Sequence, residues 1–249
     1  MGVIVAIGGD QNNRNGHLYE TEIIDRKIVN LTNKENPNFL FIGIANEDYE
    51  AEAYNTLKSM YLELGCNCDC LLTKDVNNEG IVSSKINSAD IIYLGGGNTV
   101  TLIERIRNTS LYDCLKDAYN RDCVLCGSSA GAIAYFTEGH SDYNKEVAGK
   151  YCTVAALGYI EAMFCPHYTT ENRKDSLKSF VKHSDLVAIG LDNNAALIIN
   201  GEYCELIASS NSANGYRCFS KDNEYYKEVI VKNYKYKIKD LINKKMLNY

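Results

Sequence analysis

Proline is nearly absent: Pro37 and Pro166 are the only two in 249 residues. That excludes a Pro-rich spacer between domains, and no Ser-rich linker replaces it. A prior of roughly 150 residues per domain leaves one large or two small domains open. With no linker in sight, the expectation is one α/β domain over residues 1–249. No apolar run reaches the ~20 residues that cross a bilayer, so no membrane association is expected. No long basic run occurs and the formal net charge is −6, which argues against nucleic acid as a partner. The opening "MGVIVAIGGDQNN" lacks a basic n-region and a small-residue cleavage site. It reads as a first core strand rather than a signal peptide.

Cysteine, by contrast, is plentiful, with ten in the chain. Cys123, Cys126, Cys165 and Cys204 sit inside apolar runs, as free thiols do in a reducing cytoplasm, the expected compartment. "GCNCDC" puts Cys66, Cys68 and Cys70 at alternate positions, which on a strand share one face. No partner cluster follows downstream, so neither a metal nor another cofactor is expected.

Short apolar runs alternate with longer segments of helical period. Strands are expected at Val3–Ile7, at "NFLFIGIAN", at Cys68–Leu72, at Asp90–Leu94 and at "CVLCGSS". Helices are expected from Thr21 to Leu31, Asp48 to Leu64, Asn98 to Arg107 and Leu111 to Asn120. Asp48 is the expected cap and Gly65 the expected stop of the second. Strands apolar on both faces and separated by helices imply a doubly wound, mostly parallel sheet covered on both sides. "LVAIGLDNNAALIINGEYCELIA" is split by "NGE", a hairpin signal, and reads as an antiparallel C-terminal extension. "KYKIKDLINKKMLNY" reads as a basic, solvated helix.

In such sheets ligands bind at the carboxyl ends of the strands. Gly8-Gly9-Asp10, Gly95-Gly96-Gly97-Asn98, Ser128-Ser129 and a later strand ending at His167 all fall at that edge. "VLCGSSAGAIAYF" places small residues at a strand-to-helix junction, which exposes the side chain at its tip. A serine there needs a base, a group orienting that base, and oxyanion donors. Ser129 is the candidate nucleophile and His167 the candidate base. The N–H of Ala130 and one in Gly95–Gly97 are candidate oxyanion donors. "GSSAG" alone is a weak pattern, and a phosphate role for "GGGNT" lacks the required spacing and lysine.

Together, "YLGGGNT", "CGSSAGA" and "FCPHYT" resemble the peptidase E and cyanophycinase-like serine peptidases, related in fold to class I glutamine amidotransferases. The resemblance runs from "VIVAIGGD" through "IGLDNNAALII". It implies a serine peptidase acting on small peptides, often dipeptides with N-terminal Asp, with no cofactor. By motif, Ser129 matches the family nucleophile, His167 the base, and Gly97 and Ala130 the oxyanion region. Gly96, Asn98 and Arg173 are the candidate substrate contacts. Arg173 would hold a substrate carboxylate bidentately, with a solvated first-turn arginine as the equal alternative. Thr170 is the candidate cap of a helix holding Glu171 and Arg173.

The chain departs from the family at the third member. The family's "G-L-x-E-G" turn is "GLDNNA" here, with Asn193 at the Glu position and Asp192 beside it. An acid stabilises the imidazolium, whereas an amide only orients a tautomer. Asp142, in "EGHSDYN", falls where the resemblance implies a functionally important Asp, so it is the preferred site residue and Asp192 the runner-up. His140 is expected in a surface loop, with a place lining the same pocket as the alternative. A non-catalytic ligand-binding protein on the same fold is the alternative function. A cysteine is usual at the elbow of amidotransferases, so Ser129 argues against that chemistry. A homodimer stays open.

Overall fold

The computed structural model describes residues 2–10, 12, 19–143, 150–170 and 172–247. In chain order the first half runs β1 (Val3–Ile7), α1 (Glu22–Leu31), β2 (Asn38–Gly43), α2 (Glu50–Glu63), β3 (Asn67–Leu72), α3 (Glu79–Ser88), β4 (Ile91–Leu94), α4 (Thr99–Arg107), α5 (Leu111–Asn120) and β5 (Val124–Ser128). The second half runs α6 (Ala130–Ile133), β6 (Phe136–Ser141), β7 (Cys152–Ala155), β8 (Ile160–Cys165), α7 (Arg173–Val181), β9 (Ala188–Leu191), β10 (Ala195–Asn200), β11 (Tyr203–Ala208), β12 (Gly215–Lys221), β13 (Glu224–Ile230), β14 (Lys235–Lys237) and α8 (Ile238–Leu241).

The first sheet has the order β14-β11-β10-β1-β5-β4-β2-β3. Its β1, β5, β4, β2 and β3 are parallel, and β10, β11 and β14 extend it antiparallel. Every residue of β1, β4 and β5 is buried, as strands covered on both faces must be. Asn200-Gly201 makes the β10–β11 turn, with Gly201 at φ +59, a backbone that glycine adopts without penalty.

A second sheet, order β13-β12-β9-β8-β6-β7, corrects the expectation of one extended sheet. Its β6, β8 and β9 are parallel. The strand before His167 belongs here, not beside the elbow strand. One buried cluster joins the sheets, running from Ile4, Ile42 and Leu125 to Phe136, Phe164, Ile189 and Phe219.

Local chemistry sets the helix boundaries. Asn78 and Asn98 accept from Ile81 N–H and Thr101 N–H, capping α3 and α4. Helix α2 opens after Tyr49 rather than Asp48, and Gly65 turns the chain at φ +86. The basic C-terminal segment is β14 followed by the single turn α8, not a long helix. Lys237 and Lys235 pair across to β11, and Leu241 is buried in the core. Cys68 and Cys70 lie half-buried on the edge strand β3, packed with Cys66 against the Phe39–Tyr61 cluster. Burial pushes the Cys66 thiol up to about 12, which disfavours the reactive thiolate. Among the described residues, no helix is long and apolar enough to cross a membrane.

Candidate active site

Two sets of parallel strands end at one place. In the first sheet, β1 ends at Gly8-Gly9, β4 at Gly95 and β5 at Ser128-Ser129. In the second, β6 ends before Asp142, β8 before His167 and β9 before Asp192-Asn193. Backbone bonds sew the sets together. The His167 N–H donates to Gly8 O at 2.7 Å, and the Asn194 N–H donates to Gly9 O at 2.8 Å.

Ser129 stands between β5 and α6 at φ +54, ψ −115. That conformation is strained for a residue with a Cβ, costing about 1–3 kcal/mol. The turn is tight because backbone packs on backbone. A Cβ on Gly131 would meet Leu94 O at 2.0 Å, and one on Gly127 would meet Gly131 C at 2.6 Å. Gly127 and Gly131 of "GSSAGA" are therefore required by sterics, and the turn they allow presents the Ser129 hydroxyl.

That hydroxyl lies 2.9 Å from Nε2 of His167. On the other side of the ring, Nδ1 lies 2.5 Å from Oδ1 of Asn193. An amide oxygen only accepts, so Nδ1 carries the proton and Nε2 is left to accept from the serine. His167 itself sits at φ +50, and its ring covers Gly9. A Cβ on Gly9, at φ +136, would fall 2.1 Å from His167 Cε1. Burial pushes the His167 pKa down; the Asn193 hydrogen bond, Asp142 and Asp10 push it up, and Arg173 adds to the lowering.

The side chain meeting His167 Nδ1 is thus Asn193, not Asp142 or Asp192. Asp142 turns instead to Arg173, whose Nη2 donates to its Oδ2 at 2.5 Å. Asp192 Oδ2 accepts the Asn214 N–H at 3.0 Å. Sequence reasoning favoured the acids for their charge. The strand end and the turn after β9 decide otherwise, because residue 193 is the one aimed at the ring.

Arg173 is buried, at 2 % exposure, whereas the Asp142 side chain is 53 % exposed. Its Nη1 donates to His140 O at 3.3 Å, and its guanidinium stacks over Tyr151 at 4.8 Å. It is not a solvated first-turn arginine. With both terminal nitrogens engaged, a substrate carboxylate reaches it by competing with Asp142. Asn172, not Thr170, precedes α7 as its cap, and Glu171 lies outside the described residues.

His140 is not in a surface loop: it is fully buried on β6, 2.9 Å from Ser176 Oγ and 3.6 Å from Cys165 Sγ. Burial, with the Arg173 charge adding, pushes its pKa down to about 3.

Gly96 places the glycine loop beside Ser129: a Cβ there would sit 3.5 Å from Ser129 Cβ. Gly97, at φ +137, packs on Ala45. Asn98 spends its Oδ1 on the α4 cap and its N–H on Ala45 O. The Ala130 N–H opens α6 and is a first-turn donor without an acceptor inside the helix. Beyond Asn193 lies a cavity of about 400 Å³, lined by Thr169, Asp192, Asn193, Asn214 and Tyr216 among others.

A family model described as Peptidase family S51 matches residues 4–207. The chain is 29% identical over 237 residues to the Uncharacterized peptidase YgaJ of Bacillus subtilis (strain 168), covering 90% of this chain and 95% of that protein. It is 25% identical over 183 residues to the Probable alpha-aspartyl dipeptidase of Drosophila melanogaster, covering 70% and 73%. A crystal structure of a peptidase from an acI-B1 Actinobacterium superposes with TM-score 0.75 at 18% identity, over 95% of this chain and 97% of that one. A 1.5 Å structure of a putative peptidase E protein from Listeria monocytogenes EGD-e gives 0.64 at 19%, over 84% and 100%. At these identities the two structures speak to the fold.

Proposed function

The chain belongs to peptidase family S51 and is a serine-type peptidase; from that premise we propose that Ser129, His167 and Asn193 hydrolyse short peptides through an acyl-enzyme. The observation that carries this reading is the 2.9 Å contact between the Ser129 hydroxyl, on its strained elbow, and His167 Nε2.

His167 takes the Ser129 proton as Oγ attacks the scissile carbonyl carbon. The oxyanion forms against the Ala130 N–H and the Gly96–Gly97 backbone, helped by preorganised dipoles that need no rearrangement. The protonated imidazole then gives its proton to the leaving amine. A water, deprotonated by His167, attacks the acyl-enzyme, and the acid product leaves with Ser129 restored. Asn193 fixes the tautomer, as in Cys-His-Asn sites. The negative charge of Asp10 supplies part of the support for the imidazolium that the amide cannot, whereas that of Asp142 is offset by the Arg173 it holds.

The cavity beside Asn193, about 400 Å³, lies at the small end of ligand pockets and favours a di- or tripeptide over a long chain. An N-terminal Asp is the proposed first residue, on the strength of the Drosophila relative's name. The positive charge proposed for it is Arg173, which it would reach only by displacing Asp142.

One observation favours a second function. The amide at the third position weakens the base, as expected for a protein that binds its ligand without turnover. A dipeptide-library hydrolysis assay on the wild type beside Ser129→Ala separates the two. Turnover lost in the variant supports the peptidase. Binding without turnover, and no fluorophosphonate labelling, supports the binder.

A further inference from the structure

Asp10 and Ser128 are polar residues beside the site, and the hydrogen bond between them has no part in the chemistry above. Ser128 immediately precedes the nucleophile and is 6 % exposed. Its Oγ donates to Asp10 Oδ2 at 2.8 Å. Asp10 follows Gly8-Gly9, the two residues whose carbonyls hold the His167 and Asn194 N–H groups. One three-residue segment therefore touches the elbow, the base and the turn that carries Asn193.

The Asp10 carboxylate is also held from behind. The Asn12 N–H approaches its Oδ1 at 3.4 Å. Asn12 is itself fixed: its Oδ1 accepts the Glu20 and Thr21 N–H groups, and its Nδ2 donates to Thr21 Oγ1 at 2.8 Å. Thr21 Oγ1 then donates to Asp25 Oδ2 at 2.7 Å, and the Tyr61 hydroxyl donates to Asp25 Oδ1 at 2.9 Å. Thr21, Asp25 and Tyr61 are all buried. Asp10 thus ends a hydrogen-bonded path rooted in α1 and α2.

A strained backbone persists only where its surroundings over-determine it. The Ser129 N–H is tied to Ile7 O at 3.2 Å, the end of the strand that leads into Asp10. The Ser128–Asp10 bond is the side-chain tie on the same corner, and a charged acceptor makes it stronger than a neutral one.

We propose that Asp10 is a positioning residue of the peptidase site: its carboxylate locks Ser128, and so the rotation of the elbow that aims Ser129 at His167. The proposal rests on Ser129 being the nucleophile. Around His167 the groups are Asn193, neutral; Asp142 and Asp10, negative; and Arg173, positive. Asp142 is paired with Arg173, whose opposing effect is the larger, so Asp10 is the anion of this set that is not offset.

The test compares Asp10→Ala, Asp10→Asn and Ser128→Ala with the wild type, by fluorophosphonate labelling of Ser129 and by kcat and KM against pH. Asp10→Ala is expected to slow labelling and kcat by about ten- to a hundredfold, the cost of a small misplacement, with KM little changed. Ser128→Ala removes the same bond from its other end, and the double variant Asp10→Ala/Ser128→Ala is expected to be no worse than Asp10→Ala alone. Asp10→Asn keeps an acceptor and is expected to recover much of the rate, with the acid limb of its profile moved to lower pH. A purely structural residue would not move that limb. Wild-type labelling and kcat in both Asp10→Ala and Ser128→Ala, or an unmoved acid limb in Asp10→Asn, would overturn the proposal. Should Asp10→Ala fail to fold by circular dichroism, the other two variants decide. A wild type that neither labels nor turns over overturns the peptidase reading and this proposal together; an active wild type with indifferent variants overturns this proposal alone.

Discussion

Asn193 Oδ1 lies 2.5 Å from His167 Nδ1, so an amide occupies the position where a carboxylate would best support an imidazolium. Asn193→Glu is expected to raise kcat by about tenfold, since a charge-assisted hydrogen bond is roughly twice as strong as a neutral one. The pH profile carries a second signature. His167 must be neutral to accept the serine proton, so activity falls as pH drops through its pKa. Burial holds that pKa low in the wild type. A carboxylate at residue 193 raises it, and the acid limb of kcat/KM is expected to move to higher pH.

Gly9→Ala is expected to abolish most activity. The new methyl group would fall 2.1 Å from His167 Cε1 and 2.3 Å from Nδ1, on a backbone at φ +136. Either the ring or the chain must move. Melting curves should show a loss of about 1–3 kcal/mol, and fluorophosphonate labelling of Ser129 should slow far more than stability alone accounts for.

The Arg173–Asp142 pair is asymmetric, and its two truncations are expected to differ. Removing Asp142 strands a buried guanidinium. Removing Arg173 leaves a carboxylate that is 53 % exposed and can hydrate. Asp142→Ala should therefore cost about 3 kcal/mol, more than Arg173→Met, when both are measured by denaturant unfolding.

Stability should also peak in mildly acidic solution. His140 is held near 3 by burial, so the unfolded chain binds a proton that the folded one refuses, and stability falls as pH drops below about 6.5. Asp25 is pushed up to about 7, chiefly by burial. The folded chain keeps a proton that the unfolded one releases, so this contribution fades as pH rises from about 4 to 7. Asp25→Asn should flatten the loss on the alkaline side, as read from melting temperature against pH.

The elbow was legible because its constraint is steric: only small residues allow Gly127 and Gly131 to pack on each other and on Leu94. His167 was legible as a polar residue just past an apolar strand. The third position was not, because the preference for Asp142 or Asp192 was chemical while the outcome was geometric. Nothing local in the sequence joins Asp142 to Arg173, 31 positions away. The second sheet was hidden for a similar reason. β6 reads "FTEGHS", with Glu, Gly and His where a strand pattern wants apolar residues, and its burial comes from α6, β8 and α7 rather than from alternation. Asp10 and Ser128 were both visible at the right sheet edge, but nothing local in the sequence joins two residues 118 positions apart.

The first strand has a peculiar place in time. β1 is flanked by β5 on one side and β10 on the other, and Gly8 N–H donates to Ala195 O at 2.9 Å while Gly8 O waits for His167. A chain emerging from the ribosome thus makes its opening residues first and encloses them last. Until residue 195 or so has been synthesised, β1 lacks its β10 neighbour and the Gly8 N–H lacks its acceptor.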